Sequence, residues 1–326
     1  MGPQASYLPD QDGSGGRLHL QHGPIDLVIG ADDGPRLRCD AAEMRARAFD
    51  VARARFETVL EELMSELPLL RAEADPDMSD PRGSVARRMV AAVKPLSRYR
   101  FITPMAAVAG AVAEETLESM VAAFSPVERP ARIYVNNGGD IAVHLHGDAS
   151  FRVRIARLDN VSLGHFELKA ASQSRGIATS GRGGRSLSLG IAESVTVIAR
   201  TAAEADAAAT LIANAVDLPG HPAIERVRAV DVRDDSDLGT RLVVRNCGRL
   251  ASNEVEEALS RGVAEAERFI ALGFIERAAL FLQDQGRLAM ACDQDSTRTT
   301  INATEHVNHG RTKDQENPYS GGGNSP

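Results

Sequence analysis

The chain has 326 residues, of which 43% are hydrophobic and 25% charged, as is ordinary for a globular protein. Aromatic residues make up only 4% and Trp is absent, so the core must be built from Ala, Val, Leu and Ile. The formal net charge of −8 argues against a general electrostatic attraction to nucleic acid. No apolar run approaches the roughly 20 residues that span a membrane, and no export signal follows Met1. We therefore expect a cytoplasmic protein.

Composition divides the chain into three parts. Residues 1–16 are rich in Gly, Pro and polar types, and residues 293–326 contain almost no apolar side chains. Neither segment can bury enough apolar surface to offset its ordering entropy, so both are predicted to be disordered tails. Residues 17–292 are predicted to form a single domain.

In the first part of this domain, apolar residues recur at the spacing of a helix. Apolar residues at helical spacing predict a long helix over about 41–67. A shorter helix is expected to open at Ser84 and to close before Pro95. Thr103 followed by Pro104 is typical of a helix start, with a hydroxyl at the N-cap and proline at the first helical position. The Ala- and Gly-rich segment that follows should be buried on most sides.

After this segment, apolar and polar residues alternate with a period of two, which is typical of β-strands. Two strands joined by a glycine turn, RIYVNN and IAVHLH, precede an alternating strand, FRVRIAR. The strand SVTVIAR leads into an alanine-rich helix whose start carries a capping box at Thr201 and Glu204. Strand pairs joined by tight turns predict an α+β fold with a mixed or antiparallel sheet and packed helices.

The first candidate site is the glycine turn formed by Asn137, Gly138, Gly139 and Asp140. Consecutive glycines allow positive φ and let a ligand approach bare backbone N–H groups. A plain hairpin turn explains the same residues, because Asn-Gly between strands is the commonest hairpin signal.

The second candidate is a glycine-rich loop that contains Thr179, Ser180, Gly181, Arg182 and Arg185. Backbone amides, hydroxyls and guanidinium groups together suit a phosphate group. It is neither a Walker A loop nor a dinucleotide-binding fingerprint, and a flexible surface loop has a similar composition.

The third candidate is the pair Asp206 and Thr210, which share one face of the alanine-rich helix. The scarcity of charges on this helix predicts that Asp206 is partly buried and therefore needs a partner. A divalent cation such as Mg²⁺ would suit an aspartate and a hydroxyl. Complementing a helix N-terminus or pairing with an arginine would explain Asp206 as well.

In chain order these pieces resemble the ApbE-like superfamily, typified by magnesium-dependent flavin transferases that move FMN from FAD onto proteins. The motifs PMAAVAGAVAEE, VNNGGD, ATSG, SVTVIAR and ADAAAT carry the resemblance over roughly residues 100–216. The closest likeness is to a cytoplasmic, uncharacterised branch of that superfamily. The resemblance implies an ApbE-like, T-fold-related architecture.

The resemblance also implies roles for individual residues. Asp206 and Thr210 would bind Mg²⁺, joined by a main-chain carbonyl within Met105–Val108. The turn Gly138–Asp140 would line a pocket for FAD or FMN.

Two departures from the transferases matter. Their Lys-Gly pair is matched here by Ala109-Gly110, and their His…Asp-Pro loop is replaced by GRGGRSLSLGIAES. Both argue against FMN transfer itself, and Arg182 and Arg185 would suit a different phosphorylated small molecule or nucleotide.

Two hypotheses follow. The protein binds a flavin or another phosphorylated cofactor through a divalent cation, as a transferase or in cofactor biosynthesis. The alternative is a non-catalytic ligand-binding or structural homo-oligomer on the same scaffold.

Two other patterns were weighed as metal sites. His144 and His146 alternate on a predicted strand, which fits a solvent-facing pair better than a bis-histidine site without a third ligand. The three cysteines, Cys39, Cys247 and Cys292, show no metal-type spacing.

Overall fold

We describe the protein from a computed structural model, which describes residues 2–9, 15–33, 40–156, 162–184, 186–290 and 300–301. The helices of this part of the chain are α1 (Ala41–Ser65), α2 (Leu67–Arg71), α3 (Ser84–Ser97), α4 (Val108–Ala122), α5 (Ala202–Ala215), α6 (Ala229–Val232) and α7 (Ser252–Ala271). A 3-10 turn, Pro104–Ala107, precedes α4. The strands are β1 (Gln4–Leu8), β2 (Arg17–His22), β3 (Ile25–Asp32), β4 (Arg132–Asn137), β5 (Asp140–Leu145), β6 (Ser150–Ala156), β7 (Ser162–Lys169), β8 (Gly176–Ser180), β9 (Ser194–Ala199), β10 (Ile224–Arg228), β11 (Leu242–Cys247), β12 (Arg277–Leu282), β13 (Gln285–Met290) and β14 (Thr300–Ile301).

A nine-stranded sheet organises the fold, in the order β1-β2-β3-β4-β5-β8-β9-β12-β13. Every neighbouring pair in it is antiparallel. Two smaller sheets accompany it, β10-β11 and β14-β7-β6. The predicted α+β class, with an antiparallel sheet and packed helices, is confirmed.

The sheet is covered on both faces, because its central strands are apolar on both sides. One face packs against α1, α4, α5 and α7 and forms the larger core. On the other face, β6 and β7 cover β5, β8, β9 and β12, with Phe166 and Leu168 fully buried between the layers. Phe151, Val153 and Ile155 of β6 face this smaller core, as their alternation predicts.

The first two predicted helices differ from the structure at their ends. α1 stops at Ser65, and Pro68 lies in the first turn of α2, where proline needs no backbone hydrogen bond. α3 continues through Pro95 to Ser97 instead of ending before the proline. Pro95 is close to the helix end, and Leu96 in the same last turn is buried in the core, so packing holds this turn in place.

The predicted N-terminal tail also differs from the structure. Gln4–Leu8, within the segment 1–16, forms the edge strand β1, although all five of its residues are exposed. Backbone pairing with β2 does not depend on side-chain burial, and Tyr7 also lies against Phe49, with ring centroids 6.4 Å apart. Composition alone therefore missed this strand.

Most of the predicted C-terminal tail lies outside the described residues. Within it, Thr300 and Ile301 pair with His165 and Gly164 of β7.

Candidate functional site

The glycine turn between β4 and β5 is a two-residue hairpin turn. Gly138 and Gly139 have φ values of 67° and 116°, a region that L side chains rarely adopt. The N–H of Gly139 donates to Asn136 Oδ1 at 2.8 Å and fixes the turn. The turn places Asp140 at the start of β5, where its side chain is buried.

Asp140 connects this turn to the second glycine-rich segment. Its Oδ1 accepts a hydrogen bond of 3.1 Å from the N–H of Thr179, near the end of β8. The hydroxyl of Thr179 lies 2.9 Å from that of Thr196 on β9. Sequence reasoning missed Thr196, although a polar residue within the apolar run VTVIA was a signal for it.

Asp206 is buried, as its alanine-rich surroundings predict: only 9% of the residue is exposed. Its Oδ2 accepts a hydrogen bond of 3.0 Å from the N–H of Gly110, in the first turn of α4. The N–H of Ala109 stabilises the same carboxylate. The residue at the N-cap of α4, Ala107, has no side chain that can accept these bonds, so Asp206 of α5 supplies the missing cap.

The electrostatics of Asp206 are dominated by burial. Burial raises the pKa of Asp206 well above its ordinary value, and the nearby Asp140 carboxylate raises it further. The N–H groups of Gly110 and Ala109 oppose these two effects only in part. Two neighbouring buried carboxylates repel each other, and a shared proton or a cation between them would relieve this repulsion.

Glu114 makes the reciprocal contact from α4 to α5. Its Oε2 accepts a hydrogen bond of 3.3 Å from the N–H of Ala203, and its Oε1 pairs with Arg88 at 2.6 Å. Each of the two helices thus carries a carboxylate that caps the first turn of the other. Sequence reasoning missed Glu114, because this contact exists only when the two helices cross.

Thr210 and Asn214 lie on the same face of α5 as Asp206, and the three side chains form a polar stripe along the helix. Thr210 is half-buried, and α5 packs here against the 3-10 turn Pro104–Ala107. Asn214 Oδ1 accepts a hydrogen bond of 3.0 Å from the N–H of Leu189. The stripe therefore runs from the start of α4 to the loop that follows β8.

Asn137 joins the glycine turn to the same helix start. Its side-chain Nδ2 donates to the carbonyl oxygen of Ala109 at 3.1 Å. Asn137, Asp140, Thr179 and Asp206 are thus linked through backbone groups of α4 and β8, whereas the sequence placed them in three separate motifs.

The loop after β8 is folded on its own backbone. The N–H groups of Arg182 and Gly183 donate to the carbonyl oxygens of Ala192 and Glu193, at 2.8 and 3.2 Å. The guanidinium Nε of Arg182 donates to the carbonyl of Ile191 at 3.3 Å. These amides are already in use, so they do not form the open phosphate nest that the sequence suggested. Arg185 lies outside the described residues.

The oxygen donors around Asp206 fit a partly hydrated cation. In the described part of the chain, no group of three or more His, Cys, Asp or Glu side chains is arranged to hold a metal ion. Mg²⁺ commonly needs only one or two carboxylates, completed by water and substrate phosphates. Asp206 and Asp140 provide that number, and Thr210 adds a neutral oxygen nearby, so these residues fit Mg²⁺ but not a cage made of protein ligands alone.

His144 and His146 lie at the other end of β5 from the glycine turn. His144 is half-buried and His146 is exposed, so the predicted solvent-facing pair is correct for one of the two. Of the cysteines, Cys247 is a free thiol, and Cys39 and Cys292 lie outside the described residues.

Fold and site together define an α+β protein with a pair of buried carboxylates beside a glycine hairpin. A family model described as AbpE bacteria matches residues 5–290, and the chain belongs to this family. The predicted resemblance to ApbE-like proteins and their uncharacterised branch is thereby confirmed.

The chain is similar to curated proteins from archaea. It is 39% identical over 122 residues to the UPF0280 protein of Methanobrevibacter smithii, covering 36% of this chain and 48% of that protein. It is 31% identical over 144 residues to the UPF0280 protein of Archaeoglobus fulgidus, covering 44% and 55%. The chain thus matches about half the length of these relatives.

The chain also has a similar solved structure. The apo crystal structure of the Pseudomonas stutzeri flavinyl transferase ApbE aligns over 92% of this chain and 95% of that chain, with 13% sequence identity and a TM-score of 0.32. Among the helices that the structure describes, none is both long and apolar enough to cross a membrane.

Proposed function

We propose that the region between the glycine turn and α5 binds a phosphorylated cofactor, FAD, FMN or another nucleotide, together with Mg²⁺. Asp206 and Thr210 hold the cation, with Asp140 beside them. Asn137, Gly138, Gly139, Thr179 and Ser180 contact the cofactor. A transferase reaction or a step in cofactor biosynthesis, in the cytoplasm, belongs to this proposal.

The observation that carries the proposal is the pair of buried carboxylates, Asp140 and Asp206. The charges acting on Asp206 are the like charge of Asp140 and the dipoles of two N–H groups, without a cationic side chain among the principal causes of its pKa shift. A divalent cation would neutralise both carboxylates and would attract the phosphate groups of a nucleotide.

The competing explanation is that Asp206 serves only as the cap of α4. The substitution Asp206→Asn separates the two roles, because an amide oxygen can still accept the N–H of Gly110 but carries no charge. We expect it to weaken Mg²⁺-dependent binding of FAD or FMN by at least about tenfold, which corresponds to about 1.4 kcal/mol. Isothermal titration calorimetry with and without Mg²⁺ measures this.

Glu114→Gln is the matched control. Glu114 also caps the first turn of a neighbouring helix, but from the opposite side of the α4–α5 contact. We expect this variant to bind cofactor and Mg²⁺ like the wild type. Equal binding by wild type and Asp206→Asn, with and without Mg²⁺, would contradict the metal role.

A non-catalytic ligand-binding or structural homo-oligomer remains the second candidate. It is favoured by the loop after β8, whose amides at Arg182 and Gly183 bind their own backbone instead of facing a ligand. Assembly of the protein without a thermal shift from any nucleotide plus Mg²⁺ would support this candidate over the first.

A further inference from the structure

Basic side chains from three segments come together where β5 ends, far from the glycine turn. The N–H of His146 donates to the carbonyl of Ala131 at 2.9 Å, which joins this end of β5 to the loop before β4. The N–H of Val143 donates to the carbonyl of Arg175 at 2.9 Å, which joins it to the segment before β8. The basic residues of this cluster are Arg129, His144, His146 and Arg175.

Two nitrogens of this basic cluster are buried without a hydrogen-bond partner in the described part of the chain. They are Nε2 of His144 and Nε of Arg129. An arginine Nε is always a donor, and Nε2 of a histidine donates in one tautomer and in the protonated ring. Buried polar atoms without a hydrogen-bond partner are rare in folded proteins.

Each of the four side chains of the basic cluster is either neutral or positively charged, and none of them is acidic. Burial and the charges of Arg129, His146 and Arg175 lower the pKa of His144 to about 4. The guanidinium of Arg175 donates to the carbonyl oxygens of Ala170 and Ser174, each at 2.7 Å, which orient it without neutralising its charge. A neutral group would satisfy the two unpartnered nitrogens but would not interact favourably with the positive charge, whereas an anion would do both.

We propose that the basic cluster binds a compact oxyanion of the phosphate type. Arg129 and His144 donate hydrogen bonds to it through their unpartnered nitrogens, and Arg175 contributes positive charge. His144 lies four residues along β5 from Asp140, roughly 13 Å at the rise of a strand, so this anion site is separate from the carboxylate pair. The anion site does not depend on the proposed cofactor or on Mg²⁺.

Calorimetric titration of the full chain with inorganic phosphate tests the anion site, in Mg²⁺-free buffer at constant ionic strength set with chloride. We expect saturable binding of phosphate and of sulfate. The double variant Arg129→Gln/His144→Gln is expected to bind phosphate at least about tenfold more weakly.

Arg152→Gln is the control for net charge, since Arg152 is exposed on β6 and its replacement removes one positive charge away from the basic cluster. Asp206→Asn is the control for the cofactor site, and both variants should bind phosphate like the wild type. If Asp206→Asn loses FAD or FMN binding but keeps phosphate binding, the two sites are distinct, as proposed.

A second measurement tests the anion site on the wild type, so that the test does not depend on whether the double variant folds. The ring resonances of His144 in the wild type, observed by NMR, should shift with the same saturation curve as the calorimetric signal. Glycerol phosphate in a parallel titration distinguishes the source of the group: tighter binding than inorganic phosphate indicates a phosphate ester, and weaker binding a free anion. Absence of a saturable response above chloride, or equal weakening by Arg152→Gln, would overturn the proposal.

Discussion

The two glycine-rich segments of the site have similar compositions but use their glycines differently. In the turn between β4 and β5, Gly138 and Gly139 supply positive φ, and a Cβ added at Gly139 would meet only Thr179, at 3.9 Å. In the loop after β8, Gly190 has an ordinary φ, but a Cβ there would overlap the carbonyl oxygen of Ala213 in α5. The first segment needs glycine for its conformation alone, whereas the second needs it both for conformation, since Gly181 has a φ of 141°, and for close packing at Gly190.

The turn between β4 and β5 therefore positions a side chain, whereas the loop after β8 is held in place by its own contacts. The turn delivers Asp140 to the carboxylate pair and keeps Asn137 on the start of α4. The loop is fixed by Asn214 and by its own carbonyl groups. Glycine content alone therefore does not identify a ligand-binding loop. Such a loop also needs backbone N–H groups that are not already bonded to the protein's own carbonyl groups.

The largest effect is expected where glycine allows packing. Gly190→Ala should lower the free energy of unfolding by about 3 kcal/mol, because the new methyl group overlaps backbone that cannot rotate away. Gly139→Ala should cost about 1–2 kcal/mol, from the positive φ alone. Urea denaturation of both variants measures the difference, and a larger loss for Gly139→Ala would reverse the comparison.

The second prediction concerns the pH dependence of stability. The pKa of Asp206 is raised in the folded state, so its stabilising contribution is complete below the unfolded value of about 4 and is lost as pH rises through the folded pKa. In Mg²⁺-free buffer, the wild type should therefore lose free energy of unfolding over this window.

Asp140→Asn should reduce this loss, because it removes the like charge while its amide oxygen can still accept the N–H of Thr179. Urea titrations at a series of pH values measure the slope. Identical slopes for the variant and the wild type would show that the two carboxylates do not interact.

The smallest effects are expected for the side chains that hold the loop. Asn214→Ala leaves the N–H of Leu189 without its acceptor and should cost about 1 kcal/mol. Arg182→Gln removes only the bond to Ile191, at 3.3 Å, and should cost about 0.5 kcal/mol. Thermal unfolding of the two variants ranks them, and a larger loss for Arg182→Gln would give that side chain a role beyond this bond.

Local patterns predicted the parts of the fold that depend on local physics. The hairpin at Gly138–Gly139 is present, and so is the cap at Thr201, whose hydroxyl accepts the N–H of Glu204 at 3.2 Å, although the Glu204 carboxylate pairs with Arg200 instead of completing a capping box. The burial of Asp206 followed from the alanine-rich composition of its helix. Each of these features is fixed by residues a few positions apart.

Features that need distant segments to meet were missed. β1 is stabilised by backbone pairing that leaves no mark in side-chain polarity. Thr103 was predicted as a helix cap, but its hydroxyl bonds the carboxylate of Asp237 instead. The capping of α4 by Asp206 and of α5 by Glu114 depends on how two helices cross, which periodicity does not encode.

The first turn of α5 has backbone neighbours on two sides. A Cβ at Gly110 of α4 would overlap the carbonyl oxygen of Ala202, and one at Gly176 of β8 would overlap that of Thr201. At both contacts the two backbones meet without an intervening side chain. A shift of α5 would therefore also displace α4 and β8. A side chain at either glycine would therefore displace the start of the helix that carries Asp206.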